Sequence, residues 1–79
     1  MDYLPKVKVS NQKESTQAQR EFFRLGCFWD GIHDNILRLN KTEYPVIIYA
    51  TQYGVLKWSG KDFRDTTIEE LKKLQNKKA

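Results

Sequence analysis

Only one stretch of this chain gathers side chains that bind metals: Asp30-Gly31-Ile32-His33-Asp34. An imidazole with two carboxylates is a donor set for a divalent cation. Its spacing matches no established site, and the chain has no second His to complete it. Asp and Gly are also turn formers, so we read the stretch as a solvated turn and expect no metal. Cys27 lies close to His33, the residue pairing a thiolate nucleophile requires. Catalysis would further need a group to orient the imidazole and an oxyanion hole, and the chain signals neither. Flanked by Gly26 and Phe28, Cys27 reads as a small buried hydrophobe. With no catalytic, nucleotide or cofactor motif, we expect neither enzymatic activity nor a cofactor.

A third constellation is aromatic and basic. Tyr44, Tyr49, Tyr53 and Trp58 alternate with Lys41, Lys57 and Lys61, as in a stacking platform for single-stranded nucleic acid. Nearby Glu43, Asp62 and Asp65 cancel the local charge, and so small a domain needs its rings for the core. The net charge of +4 sits mainly at the chain ends. Residues 1–13 carry +2, residues 72–79 carry +4, and residues 14–71 carry −2. A mildly acidic middle weakens the inference from basic balance to nucleic acid. Lys72, Lys73, Lys77 and Lys78 read as a helix end favoured by the dipole rather than a phosphate clamp.

Seventy-nine residues, 39% hydrophobic and 30% charged, make one small domain with a thin core. No apolar run approaches the ~20 residues that span a bilayer, and the N-terminus lacks a signal-peptide pattern. A single Cys fits a reducing compartment. We therefore expect a cytoplasmic protein without a membrane segment. The excess of Lys over Arg, with many Ile, Asn and Tyr, suits an AT-rich bacterial or phage genome.

The elements that position these side chains follow from periodicity. Val46–Thr51 is β-branched and apolar on both faces, and 55–59 returns after Tyr53-Gly54, so 46–51 and 55–59 form a hairpin. A two-residue loop would pair Thr51 with Leu56 and set Tyr49 opposite Trp58. Residues 14 to about 28 read as a helix capped by Ser15 or Thr16, with Ala18, Phe22, Leu25 and Trp29 on one face. Gly26 is an early stop signal; beyond it the stripe either continues through Ile32, Ile36 and Leu39 as one long helix or, as we prefer, breaks at Asp30-Gly31. Residues 35–40 are the candidate third strand. Thr66 and Thr67, followed by Glu69 and Glu70, are overlapping capping boxes for a C-terminal helix with Ile68, Leu71 and Leu74 inward. Residues 1–13 are an arm or an edge strand, and 75–79 a frayed Lys-rich tail.

The expected fold is therefore α+β in the order α-β-β-β-α, a small antiparallel sheet packed by an N-terminal and a C-terminal helix. That order is similar to the layout of double-stranded-RNA-binding domains. Thr66-Thr67-Ile68-Glu69-Glu70 is acidic where such domains carry a basic helix start, and order alone carries no function. The expected function is that of a small accessory or regulatory protein that binds another protein, with nucleic-acid binding second; homodimerisation would help so small a chain bury surface. The candidate partner-binding residues are Phe28, Trp29 and Tyr53, rimmed by Arg38 and Lys41. Trp29 has a competing reading, favoured by the thin core, as a ring that seals the helix against the sheet.

Overall fold

The computed structural model describes residues 5–74. The chain runs β1 (Lys6–Val9), α1 (Gln12–Arg24), β2 (Phe28–Trp29), a single 3-10 turn at Lys41–Glu43, β3 (Val46–Ala50), β4 (Val55–Ser59) and α2 (Ile68–Lys73). One four-stranded sheet has the order β1-β3-β4-β2. The β1–β3 and β3–β4 pairs are antiparallel, and β2 runs parallel to β4. The fold is α+β as expected, with a mixed rather than purely antiparallel sheet. The β3–β4 hairpin lies between β1 and β2, so β1-α1-β2 is a split β-α-β frame.

Residues 6–9 settle as an edge strand, not an arm. Lys6 and Lys8 alternate with Val7 and Val9, which are both fully buried. The third strand expected at 35–40 does not form, and β1 takes its place beside β3. The residues at 36–39 alternate too weakly to supply a closed apolar face, whereas β1 sets two valines against the helices.

Helix α1 starts earlier than its apolar stripe. Asn11 is the N-cap, its side chain accepting from the Glu14 N–H at 2.9 Å. The Glu14 carboxylate in turn accepts from the Ser10 N–H at 2.8 Å. Ser15, read as a cap, is instead buried inside the helix. The helix ends at Gly26, not at Asp30-Gly31. Gly26 has φ +92°, its N–H donates to Phe23 O, and the Cys27 N–H donates to Phe22 O. These two bonds form a Schellman close, which only glycine enters without strain. The chain is then free to extend, and Phe28–Trp29 join the sheet.

The hairpin also closes one residue away from the expected register. Gln52, Tyr53 and Gly54 form a three-residue loop, with Thr51 N–H to Val55 O and Gly54 N–H to Thr51 O both at 2.9 Å. Gly54 has φ +81°, the left-handed residue this loop length demands. Tyr49 therefore faces Lys57, and Trp58 faces Ile48. A one-residue slip exchanges faces, so Trp58 stands on the helix side, away from Tyr49.

Both helices pack on one face of the sheet. Phe22, Ala18, Leu25, Trp29, Val46, Ile48, Ala50, Leu56 and Leu71 are buried there with Val7 and Val9. Thr67 caps α2, accepting from the Glu70 N–H at 3.1 Å, as one of the two capping boxes predicts. The Arg24 guanidinium donates to the carbonyls of Leu71, Lys72 and Leu74 and so ties the end of α2 to α1. The proposed tail at 75–79 and the start of the arm at 1–4 lie outside the described residues.

Candidate functional site

The metal and nucleophile readings find no geometry. Among the described residues, no three His, Cys, Asp or Glu side chains stand close enough to share a metal ion. Cys27 is buried and His33 exposed. Burial pushes the Cys27 thiol up from its ordinary value. The folded protein thus holds this proton more tightly than the unfolded chain. The stability that goes with the neutral thiol is complete below about pH 8.5 and is lost as pH rises through the higher folded value. We expect Cys27 to react with a thiol reagent at pH 8 only as fast as the protein unfolds; full labelling of the native protein within the mixing time would contradict this placement.

Trp29 is core, and this corrects its candidacy as an accessible anchor. It is 5% exposed, and its indole N–H donates to Gln19 Oε1 at 2.9 Å. The exposed-anchor reading assumed that a helix end leaves the ring free; instead Trp29 sits in β2 beside Leu56, on the helix side of the sheet. In a Trp58→Phe variant the fluorescence of Trp29 alone should be blue-shifted and protected from iodide. A red-shifted, readily quenched signal would exclude the burial.

Gln19 is the polar centre of that side. Its amide N–H groups donate to Ser15 Oγ at 2.8 Å and to Leu37 O at 2.9 Å. Its Oε1 accepts from Trp29 Nε1 and from the Leu37 N–H at 2.7 Å. Farther along, Tyr44 OH donates to Gln12 Oε1 at 2.7 Å. The segment 37–44 therefore runs along α1. Arg38 and Lys41 are exposed members of this segment. They lie on no strand, so the neighbouring strand expected to carry this rim does not form.

Among the described residues, no helix lies on the opposite face of the sheet. Strand alternation sends Lys6 and Lys8 of β1, Ile47 and Tyr49 of β3, Val55, Lys57 and Ser59 of β4, and Phe28 of β2 to this side. Phe28 borders the hairpin loop that carries Tyr53: its N–H donates to Gly54 O at 3.0 Å. Tyr53 is 79% exposed. The His33 ring stacks on Phe28 at 6.2 Å, from a residue in the left-handed region at φ +56°. The segment after β4 folds back over the other end of the face. Phe63 meets Tyr49 edge-on at 5.2 Å, Asp62 pairs with Lys8 and Asp65 with Lys6, both at 3.4 Å. Ile47 is only 1% exposed although it points away from the helices, so this end of the face is covered.

The aromatic set read from the sequence is therefore divided. Tyr44 and Trp58 belong to the helix side, Tyr49 to the free face, and Tyr53 to the exposed hairpin loop. Sequence reasoning missed Lys6, Lys8 and Phe63 as neighbours of Tyr49. The signal was present: in a strand, the Lys-Val-Lys-Val pattern puts both lysines on one face. Folding also redistributes charge. Five basic residues (Lys6, Lys8, Lys57, Lys61 and Arg64) and two acidic ones (Asp62 and Asp65) occupy this face and its covering segment, while the other described residues carry seven of each.

Each sheet edge carries one isolated backbone bridge. Lys6 O accepts from the N–H groups of Asp65 and Thr66, at 3.0 and 3.1 Å. Trp29 and His33 exchange backbone hydrogen bonds at 2.9 and 2.8 Å. A partner strand cannot simply add at these positions. Among the described residues no helix is long and apolar enough to cross a membrane. Comparison of the chain with protein-family models, curated proteins and solved structures finds no match.

Proposed function

We propose that this is a small non-enzymatic accessory or regulatory protein that binds another protein through the helix-free face of its sheet. The observation that carries the reading is the gathering of Phe28, Tyr49, Phe63 and Lys57 on one face, with the exposed Tyr53 in the adjoining loop. Exposed aromatics with basic neighbours are typical of interface hot spots. A buried thiol with a raised pKa supports a role without nucleophilic chemistry and suits a reducing, cytoplasmic setting.

The charge excess on this face supports nucleic-acid binding as the second reading. Two features favour protein. Tyr49 and Phe63 meet edge-on, so each uses ring surface on the other that a base would need. Asp62 and Asp65 also stand where a phosphate backbone would track. Affinity for generic single-stranded DNA should then stay in the range of about 10⁻⁴–10⁻⁶ M at physiological salt.

A pull-down with tagged protein, with and without nuclease, separates the two. Capture of a partner that survives nuclease and is lost in Tyr53→Ala and Lys57→Glu variants is the expected result. Loss of all capture on nuclease treatment, or salt-resistant nanomolar binding to a defined oligonucleotide, would reverse the order. Sedimentation of the purified protein tests whether a second copy is itself the partner.

A further inference from the structure

The segment 60–66 already shows what this face accepts. It sets a carboxylate on Lys8, a phenyl ring on Tyr49 and a second carboxylate on Lys6, from residues Asp62, Phe63 and Asp65. The order is acid, aromatic, any residue, acid. The backbone at Asp65 and Thr66 is fixed by hydrogen bonds to Lys6, whereas Asp62 and Phe63 are exposed and hold on by side chains alone at this face. Both ion pairs are solvent-facing, with side chains 30–51% exposed. Contacts of that kind contribute little and are readily exchanged.

We propose that residues 60–64 are an internal stand-in for the partner, and that the partner presents an acidic segment with an aromatic residue beside its first carboxylate, which displaces Asp62 and Phe63 from Lys8 and Tyr49. This rests on the protein-binding reading of the same face. Charge complementarity supports it: with Asp62 lifted away, Lys8 and Lys57 flank Tyr49 and Ile47 on adjoining strands, leaving a basic, partly apolar strip. Asp62 accepts from the Arg64 N–H before it meets Lys8, and this local bond together with the lysine keeps its carboxyl below the usual carboxylate range. The stand-in is thus ionised at neutral pH and competes as an anion. An internal competitor lowers the affinity for the external ligand by the fraction of molecules in which the face is open.

The test uses a fluorescein-labelled peptide, Gly-Ser-Asp-Phe-Ser-Asp-Thr, capped at both ends, and measures anisotropy with the whole protein. The Asp62→Asn, Phe63→Ser double variant should bind it about tenfold more tightly than wild type, the ratio expected for removing one exposed ion pair and one ring contact. Asp62→Asn alone should give a smaller gain, and it guards against a double variant that fails to fold, which circular dichroism detects. Adding Lys8→Glu should abolish the gain, and a peptide with Ala for Phe should bind less well. Equal affinity of wild type and both variants would overturn the stand-in, and so would tighter binding of an oligothymidylate than of the peptide, or dimerisation by exchange of residues 60–64 between copies. If the peptide result fails while the nuclease-resistant partner still requires Tyr53 and Lys57, only this inference falls.

Discussion

Replacing Gln19 with alanine should destabilise the protein by about 2–4 kcal/mol. The substitution deletes no large apolar group; its cost lies in what is left behind. The Trp29 indole N–H, the Leu37 N–H and O and the Ser15 hydroxyl all lose their partner at once. An orphaned buried polar group costs roughly 1–3 kcal/mol, reduced here because Leu37 is only half-buried and water can reach it. At about 0.05–0.15 kcal/mol per residue, this is a large share of the stability of the whole domain. The variant also has a local signature. Leu37 anchors the segment that carries Arg38 and Lys41, so trypsin should cut at those two residues well before the rest of the chain. Ser15→Ala, which removes one bond of the four, should cost about 1 kcal/mol. A Gln19→Ala protein within 1 kcal/mol of wild type by urea unfolding, with no early cleavage, would show that the network is not structural.

Phe22→Ala should cost about 3–5 kcal/mol, and Ile48→Ala about 2–5 kcal/mol. Phe22 is the largest fully buried side chain of α1, and Ile48 lies in β3 between β1 and β4, in the same cluster. Each truncation opens a cavity in a core that a chain of this size cannot refill. Phe22 also holds the Schellman close through its carbonyl, so loosening there shifts Gly26 and Cys27 and hence the start of β2. Ile48→Val, at about 0.5–1.5 kcal/mol, calibrates the series. A melting temperature unchanged within a few degrees for either alanine variant would mean that the helix and strand do not share this core.

On the proposed function, stability and binding would occupy different sides of the sheet. Gln19, Trp29, Phe22 and Ile48 serve the helix side, while Tyr53, Phe63 and Lys57 on the other can change with little effect on folding. Variants of the second group are therefore the ones that test the proposed binding without a change in folding.

Local chemistry determined a good part of this protein. The α+β class, the two strands of the hairpin, the burial of Ile48, the inward stripe Ala18-Phe22-Leu25 and the Thr67 cap all follow from residues within a few positions of one another. Periodicity and capping are short-range, so the chain displays them directly. What only the tertiary structure decided are the choices between partners. Val7 and Val9 find β3 about forty residues away, and Gly26 rather than Asp30-Gly31 ends α1 because Trp29 gains more as a strand residue bonded to Gln19 than as another turn of helix. The three-residue loop at Gly54 wins over the shorter one because its register turns Leu56 into the core. The candidate face was illegible for the same reason. Lys6 and Lys8 lie about forty residues or more from Tyr49, Lys57 and Phe63 along the chain, and only folding sets them side by side.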